Sequence, residues 1–311
     1  MTEKIKKVIH KGEFLKPCQG KGNYICCGYF ILSTGFNCNI GCSYCILQSY
    51  FETPGPVVFS NTDDLFAELD DKLKRNPQII RVGTGELMDS LLFDNVMNYN
   101  RRLIHYFSCQ NQAFLELKTK TDNIKPILEL ETNSRIVMAW SLNPQKVIIS
   151  EEGKSVSLER RLTAAGVCSN AGYYIAFHFD PIIYYQGWER DYFNIVDHIA
   201  KNIHPDKIIM ISLGTLRYNT EVKIKALQNH PRTKIFYGEF VKSPDGKMRY
   251  FKPIRLEIYS TILEYIRKRL GNVFVYMCME TADVWNKVMK EPDITTDKLK
   301  IMLDMHYKQF H

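Results

Sequence analysis

Three cysteines packed into eight residues are the part of this sequence that points most directly to chemistry. Cys38, Cys42 and Cys45 follow a C-x3-C-x2-C spacing, and Gly41 permits the tight backbone turn that would bring three thiolates together. A [4Fe-4S] cluster held by only three cysteines leaves one iron without a protein ligand, and a small molecule can then bind that iron. The spacing therefore predicts an iron–sulfur cluster with an open coordination site.

The same cysteines have two other interpretations, buried structural thiols and a zinc site. Structural zinc takes four ligands, usually from two separated C-x2-C pairs or with histidines. The sequence contains neither a second C-x2-C pair nor an H-x3-H pair. Cys18, Cys26 and Cys27 lie just upstream, but adjacent residues of a strand point to opposite faces, so structural thiols are favoured there over a second metal site.

The composition is that of an ordinary folded protein. Of the 311 residues, 45% are hydrophobic and 24% are charged, which excludes a disordered or fibrous chain. No apolar stretch approaches the roughly 18 residues of a membrane span, and the N-terminus lacks the apolar segment of a secretory signal. We therefore expect a cytoplasmic protein with no membrane partner, in which nine reduced cysteines favour a metal or redox centre over disulfides. The net charge of +7 is compatible with a polyanionic partner without requiring one.

The cysteine loop belongs to a repeating pattern of apolar strands and amphipathic helices. Strands are predicted at residues 29–33, 79–82, 114–117, 136–142, 173–179 and 208–213. Helices are predicted after them, at residues 65–73, 92–107, 124–130, 158–165, 188–202 and 221–228. Strands that alternate with helices pair in parallel. The pattern predicts an α/β fold, a partial (βα)6 TIM-like barrel with its chemistry at the C-terminal strand ends.

The pattern changes after residue 232. Residues 235–242 and 247–251 flank the turn sequence Ser-Pro-Asp-Gly, which predicts a β-hairpin. A helix, a strand and a last helix are predicted after it, at residues 255–270, 273–277 and 296–310. We therefore expect three parts, namely an N-terminal extension (1–28), the partial barrel (29–232) and a C-terminal region with a basic hairpin and helices (233–311).

With Tyr44 just before its last cysteine, the C-x3-C-x2-C run after the first strand resembles the radical S-adenosylmethionine (radical SAM) superfamily. The resemblance implies that the open iron binds S-adenosylmethionine and that reductive cleavage of this cofactor yields a 5′-deoxyadenosyl radical. Four segments, 41–48, 118–120, 140–143 and 187–189, are similar to blocks of the spore photoproduct lyases. That similarity implies a lyase that repairs a thymine photoproduct in DNA and takes electrons from a reductant such as a flavodoxin or ferredoxin.

The resemblance also assigns roles to individual residues. The cluster would be held by Cys38, Cys42 and Cys45, and S-adenosylmethionine would be contacted by Tyr44, Gly83, Gly85, Glu86, Lys120, Ser141, Asn143 and His178. Tyr44 and Glu86 are in addition the expected catalytic residues. The segment 83–86, Gly-Thr-Gly-Glu, looks like the superfamily element that receives the amino group of the cofactor, and a carboxylate at a strand end can accept hydrogen bonds from an ammonium group.

The sequence departs from the lyase pattern at two positions. The lyases carry a cysteine after the second strand that returns a hydrogen atom to the product, and the alignment places Glu86 or a close neighbour there. They also carry a tyrosine directly after the last cluster cysteine, where this chain has Ile46. One alternative is a different hydrogen donor, with the candidates Cys109, Cys168, Cys278 and Tyr276. Others are the same radical initiation on another nucleobase, a nucleoside or a peptide, and a non-enzymatic metal-containing module that binds nucleic acid.

The predicted hairpin interleaves aromatic and basic residues. Basic side chains can neutralise phosphates while an aromatic side chain or the turn opens a base step. Lysines also protect the edge of a solvated hairpin, and sequence alone does not separate the two interpretations. The lyase resemblance favours DNA, so nucleic-acid contacts are expected from Lys242, Lys247, Arg249 and Lys252. A base in a duplex would have to be flipped out to reach an enclosed site.

Overall fold

The computed structural model describes residues 5–18, 20, 24–51, 55–94, 98–130, 133 and 135–310. In this part of the chain, eight strands form one sheet. The six predicted barrel strands are neighbours in sequence order, and they are Phe30–Leu32, Arg81–Gly83, Phe114–Thr119, Ile136–Ser141, Tyr174–Ile182 and Ile208–Thr215. Each pairs in parallel with the next, which confirms the partial barrel.

Two further strands extend the sheet at its edges. Val275–Met277 pairs in parallel with the sixth barrel strand, and Leu15–Pro17 pairs antiparallel with the first. Segments from outside the predicted barrel therefore belong to the same sheet. The two edge strands do not pair with each other within the described residues, so the barrel stays open.

The central barrel strands are buried on both faces. All residues of Ile136–Ser141 are buried, and Tyr174–Ile182 is partly exposed only at its first residue and at Asp180. Near-continuous apolar runs are typical of parallel strands that are covered by helices, because neither face is left to solvent. The alternation of polar and apolar residues that marks a one-sided sheet is therefore absent from these strands.

One row of polar residues crosses the inner face of the sheet. Ser141 pairs in register with His178, His178 pairs with Ser212, and Ser212 pairs with Tyr276. Residues that face each other across neighbouring strands point to the same side. Because Ser141 lines the pocket described below, this row lies on the inner side of the barrel.

Amphipathic helices pack against the sheet. Thr62–Arg75 buries Leu65, Leu69 and Leu73, and it carries acidic residues in its first turn and basic residues in its last turn, which complements the helix dipole. The other helices of the barrel region are Leu47–Tyr50, Tyr99–Cys109, Lys125–Leu128, Gln145–Glu151, Leu158–Asn170, Trp188–Asn202 and Thr220–Asn229. Ser157 caps one of them by accepting a hydrogen bond from the backbone N–H of Arg160.

Two helix predictions need adjustment, and one further helix was not predicted. The helix predicted from residue 92 is described from Tyr99 to Cys109, and residues 95–97 of the predicted span lie outside the described residues. The helix predicted over 124–130 is a single turn, Lys125–Leu128. Gln145–Glu151 forms a short helix that the sequence pattern did not predict.

The predicted hairpin is present but shorter than expected. Phe240–Lys242 pairs antiparallel with Met248–Tyr250. Arg217–Tyr218, which follows the sixth barrel strand by one residue, adds a third strand to the same small sheet. The hairpin is therefore joined through its backbone to the C-terminal end of the barrel.

The remaining elements connect the two ends of the described chain. Tyr24–Ile25 pairs antiparallel with Glu280–Thr281. The remaining helices are Lys252–Leu270, Ala282–Met289, which was not predicted, and Thr296–Tyr307, and a third small sheet combines Lys6–Val8, Val57–Phe59 and Gly35–Phe36. Of the helices in the described ranges, none is both long and apolar enough to cross a membrane.

Candidate active site

The three cysteines of the C-x3-C-x2-C loop line one pocket at the C-terminal ends of the barrel strands. The pocket spans about 550 Å3, part of which is open to solvent, and none of the three cysteines forms a disulfide. Its other polar walls follow the second, third and fourth strands and include Gly85, Glu86, Asp89, Lys118, Lys120 and Ser141. Parallel strands end at the same edge of a sheet, which is why residues so far apart in sequence meet here.

The donor set of this pocket fits an iron–sulfur cluster. Each cysteine of such a cluster binds a different iron, so the three sulfurs need not meet at one point. In the described ranges, no group of three His, Cys, Asp or Glu side chains is close enough to hold a single metal ion. Burial, reinforced by Asp89, raises the pKa of Cys38 to about 12, and burial also raises the pKa of Cys42 and Cys45. Metal ligation would lower these pKa values and keep the thiolates charged.

A segment that follows the fourth barrel strand holds the cysteine loop in place. The backbone N–H of Ser43 donates to the carbonyl of Glu151 at 2.8 Å, and the N–H of Lys154 donates to the carbonyl of Ile40 at 2.8 Å. The Ser43 hydroxyl also donates to the Glu151 carboxylate. The loop is therefore shaped by protein contacts on both sides of Cys42.

Glu152, a fully buried carboxylate of the same segment, joins the loop to the third and fourth strands. Its Oε1 accepts hydrogen bonds from the Tyr44 hydroxyl and, at 2.9 Å, from Nδ2 of Asn143. Nζ of Lys120 lies 3.3 Å from the same oxygen, and Nη2 of Arg161 donates to Oε2 at 2.5 Å. Burial alone would raise the pKa of Glu152, but Lys120 and Arg161 outweigh it and lower the pKa to about 2. The charged carboxylate thus fixes Tyr44 and Lys120 at the pocket.

Glu86 is held by a second set of contacts. It accepts a hydrogen bond from the Tyr29 hydroxyl at 2.9 Å and pairs with the ammonium group of Lys118. The charge of Lys118 outweighs burial and lowers the pKa of Glu86 to about 2. A Cβ added at Gly85 would lie 2.5 Å from the Cβ of Lys118, so this glycine allows the two strand ends to approach.

Most of the residues expected to contact the cofactor share the cysteine pocket. Tyr44, Gly85, Glu86, Lys120 and Ser141 line it. Gly83 ends the second strand just below the pocket, where a Cβ would lie 2.5 Å from the ring of Tyr29.

Asn143 and His178 are placed away from this pocket. Asn143 has no exposed surface, because its amide donates to Glu152 and its Oδ1 accepts from the Tyr192 hydroxyl at 2.8 Å. His178 lies in the barrel interior, where its Nδ1 is 2.7 Å from Oγ of Ser212. Asn143 therefore supports the wall from behind, and His178 faces the space deeper in the barrel.

Lys118 and Glu152 were not among the site residues predicted from sequence. Lys118 lies on the third barrel strand, Lys120 follows its end by one residue, and both line the pocket, so the spacing of two residues in an extended segment was an available signal. No comparable signal identifies Glu152, because its partner Tyr44 is 108 residues away in sequence.

The four basic residues expected to contact nucleic acid differ in their surroundings. Lys242 is exposed, Lys247 is partly buried, and Lys252 pairs with Asp283 on the helix Ala282–Met289. Arg249 does not lie on the hairpin surface as its position in the sequence suggested.

The reason is that Arg249 is used inside the protein. Its guanidinium donates to both carboxylate oxygens of Asp245 at 2.6 and 2.8 Å. It also lies 3.9 Å from the centre of the Tyr24 ring. Its charge is therefore neutralised within the hairpin and is not offered to a phosphate.

An open barrel of parallel strands, with a three-cysteine loop after its first strand and polar residues at the following strand ends, defines a radical SAM enzyme. A family model described as spore photoproduct lyase matches residues 26–272. The chain belongs to the spore photoproduct lyase family.

The relatives agree with this assignment over most of the chain. A spore photoproduct lyase of a Geobacillus species is 26% identical over 247 residues, which cover 76% of this chain and 72% of the relative. The lyase of Clostridium acetobutylicum is 25% identical over 249 residues, with 74% of each chain covered. A solved lyase variant with bound AdoMet and dinucleoside spore photoproduct has a TM-score of 0.78 at 22% identity and covers 88% of this chain and 82% of its own. That likeness supports the fold.

Proposed function

We propose that this chain repairs spore photoproduct, a thymine lesion of DNA, by radical SAM chemistry. The observation that carries the proposal is that Cys38, Cys42 and Cys45 line one pocket together with Lys120 and Ser141. The substrate class comes from the family, because the related lyase was solved with dinucleoside spore photoproduct and AdoMet.

The three cysteines would hold a [4Fe-4S] cluster, and S-adenosylmethionine would occupy the rest of the pocket. When bound, these groups supply the 5′-deoxyadenosyl radical that abstracts a hydrogen atom from the substrate. Glu86 is charged at neutral pH and offers its carboxylate to an ammonium group, while Ser141 and Lys120 offer hydrogen-bond donors. These residues would orient the cofactor through its polar groups.

The pocket also has apolar walls. Ile40, Leu47 and Met88 are buried and line it beside the cysteines. Apolar walls keep water and other quenchers away from a reactive intermediate. We infer that these side chains protect the radical step.

We infer that the partner is DNA with a thymine lesion and that the hairpin contacts it. Lys242 is exposed at the end of one hairpin strand, and the apolar side chains of Tyr237, Val241 and Phe251 are exposed nearby in sequence. Basic groups next to exposed aromatic rings suit a nucleic acid, because the former neutralise phosphates and the latter stack on bases. The lesion would have to leave the duplex to reach the pocket.

A one-electron reductant of the flavodoxin or ferredoxin class would complete the system. We expect such a protein to support turnover of the reconstituted enzyme in place of a chemical reductant. Turnover that proceeds with a chemical reductant and with neither of these proteins would contradict this part of the proposal.

The proposal is tested by anaerobic reconstitution followed by reaction with dinucleoside spore photoproduct. We expect about four iron atoms per chain, formation of 5′-deoxyadenosine and release of thymine product. The Cys42→Ala variant is the control, and it should lose the cluster and both products. If wild-type protein that contains the cluster forms no 5′-deoxyadenosine, the proposal is overturned.

A second candidate function is the same radical initiation on a different substrate. The observation that favours it is that the segment 83–89 after the second strand contains no cysteine, whereas the lyases carry one there. Formation of 5′-deoxyadenosine without consumption of the dinucleoside would support this alternative over photoproduct repair.

A further inference from the structure

Cys278 places a thiol inside the barrel, at the end of the last parallel strand. The strand Val275–Met277 continues to Cys278, whose backbone N–H donates to the carbonyl of Leu213 at 2.8 Å. Tyr276 belongs to the polar row of the inner face, and a residue two positions further points to the same side. Cys278 therefore faces the interior of the barrel.

The thiol is part of a charged group at the mouth of the barrel. Nη2 of Arg217 lies 3.6 Å from the Cys278 sulfur. The same guanidinium donates to both carboxylate oxygens of Asp180 at 3.0 and 2.9 Å. Asp180 is two residues beyond His178 on the fifth strand and so shares its face. Cys278 thus lies beside polar groups of the interior and not within the apolar core.

This mouth is in electrostatic contact with the cofactor pocket. Lys118 lines the pocket and pairs with Glu86. Burial alone would lower the pKa of Lys118. Nearby carboxylates, chiefly Glu86 and more weakly Asp180, outweigh burial and raise this pKa. Ser141 lines the pocket and belongs to the same in-register row as His178 and Tyr276, so a substrate that extends from the pocket along this face would approach Asp180 and the neighbouring thiol.

A second observation indicates that this interior space takes a polar ligand. Nε2 of His178 is buried and forms no hydrogen bond with the described residues, although it lies 3.2 Å from Oε1 of Glu116. Buried polar atoms are nearly always hydrogen-bonded in native proteins. Apart from this contact with the Glu116 carboxylate, Nε2 has no partner among the described residues, so a polar group of a substrate in the barrel interior would complete its hydrogen bonding.

The other candidate donors are placed less well. Cys109 is exposed at the end of the helix Tyr99–Cys109, and Cys168 is fully buried within the helix Leu158–Asn170. Tyr276 shares the interior row but is buried. Cys278 is partly exposed, and the Arg217 guanidinium lies beside its sulfur.

We propose that the Cys278 thiol donates the hydrogen atom that completes the repair reaction, an inference that rests on the proposed function. The S–H bond of Cys278 breaks and a C–H bond forms at the carbon radical of the product. The sulfur, left with an unpaired electron, returns to the thiol by taking one electron from the flavodoxin- or ferredoxin-class reductant and one proton from solvent. Burial, opposed by Arg217, raises the pKa of Cys278 well above its ordinary value, so the group carries its hydrogen at neutral pH.

The location of the thiol is tested on the reconstituted full-length protein without S-adenosylmethionine and reductant, so that no turnover occurs. Dinucleoside spore photoproduct, at about ten times its measured Kd, should slow alkylation of Cys278 about tenfold by mass action, as read by mass spectrometry of the labelled peptide. Alkylation of Cys109 is the internal control and should not change. Measured binding with unchanged alkylation of Cys278 would overturn the inference, and absence of binding would overturn the proposed function together with it.

The chemistry is tested with Cys278→Ser in the reconstituted enzyme. Serine keeps the size of the side chain, but its O–H bond is too strong to donate a hydrogen atom to a carbon radical. We expect 5′-deoxyadenosine and substrate consumption to stay within about twofold of wild type while the yield of thymine falls about tenfold and by-products rise. Tyr276→Phe and Cys109→Ser should keep the wild-type yield.

The outcomes separate the two proposals. A normal thymine yield from Cys278→Ser would overturn the role of Cys278 and leave the proposed function intact. An unreactive wild-type enzyme would overturn the proposed function itself. Thermal denaturation establishes that the serine variant is folded, and the alkylation experiment on wild-type protein does not depend on that variant.

Discussion

Gly153 lies so close to Ile40 that a Cβ built on the glycine would be 2.2 Å from the Ile40 carbonyl oxygen. The backbone of Gly153 also has φ +43, in the left-handed region that other residues rarely adopt. Backbone hydrogen bonds on either side tie the same segment to the cysteine loop. The shape of the loop therefore depends on a position that only glycine fills.

We expect Gly153→Ala to reduce iron incorporation, because the added methyl group would push the cysteine loop out of position. Iron content after anaerobic reconstitution measures the effect. Gly172→Ala is the matched control, since Gly172 also has positive φ but an added Cβ would meet no atom within 4 Å. The control should cost about 1 kcal/mol of stability and keep its iron. Equal iron content in the two variants would contradict the steric argument.

The Glu152–Arg161 pair predicts a specific dependence of stability on pH. The pKa of Glu152 falls from 4.5 to about 2 on folding, so the carboxylate stabilises the protein above pH 4.5 and this contribution is lost as the pH falls toward 2. Glu152→Gln should be destabilised by about 3 kcal/mol at pH 7, because it leaves the buried Arg161 without its counter-ion. Its free energy of unfolding should also change less than that of wild type between pH 4.5 and 2.

Chemical denaturation at several pH values measures this effect. Glu159→Gln, at an exposed position on the following helix, is the control and should follow the wild-type profile. A Glu152→Gln profile parallel to that of wild type would show that folding does not lower the pKa of Glu152.

Lys118 is expected to make cofactor binding independent of pH near neutrality. Its charge is the main cause of the low pKa of Glu86, and burial acts in the opposite direction. In Lys118→Met the pKa of Glu86 should rise, so the affinity for S-adenosylmethionine should weaken as the pH falls from 8 to about 5. Calorimetry on reconstituted protein measures the affinity. Lys125→Met, on an exposed position of another helix, should leave it unchanged at every pH.

The exposed and buried basic residues of the hairpin should behave differently toward DNA. Lys242→Glu should weaken binding to duplex DNA and lower the slope of log K against log salt by about one unit or more. Lys74→Glu, on the helix Thr62–Arg75, controls for net charge and should change the slope less. Fluorescence anisotropy across a salt series gives the slopes. An unchanged slope for Lys242→Glu would remove this residue from the interface.

Arg249→Met should act mainly on stability. The substitution leaves the buried carboxylate of Asp245 without its partner, which costs about 3 kcal/mol. Thermal denaturation should show this loss, whereas the salt slope of the folded variant should stay at the wild-type value. A reduced slope of log K against log salt, together with wild-type stability, would show that Arg249 contacts a DNA phosphate.

The fold and the cysteine pocket were predictable from sequence for a physical reason. Apolar runs followed by helices specify parallel pairing, and parallel pairing brings Cys42, Glu86, Lys120 and Ser141 to one edge of the sheet. Contacts between distant loops carry no such periodic signal. Glu152 reaches Tyr44 only because its segment folds back over the cysteine loop, and that path is visible only in three dimensions.

The hairpin shows a second limit of sequence patterns. Alternation of basic and aromatic residues does not reveal which side chains face inward when three strands share the small sheet. Arg249 is buried because its strand lies between Phe240–Lys242 and Arg217–Tyr218, with Tyr24 covering the guanidinium. The strand Val275–Met277 was predicted, but its place beside the sixth barrel strand depends on a connection that runs through the hairpin and a long helix.

The internal ion pair between Arg249 and Asp245 affects how the hairpin would bind a DNA duplex. Because this ion pair holds the turn in place, the hairpin keeps its shape in the free protein, and little conformational entropy would be lost when it binds DNA. More of the binding free energy would then be available to flip a damaged nucleotide out of the duplex. Undamaged duplexes resist this distortion more strongly and would therefore dissociate sooner.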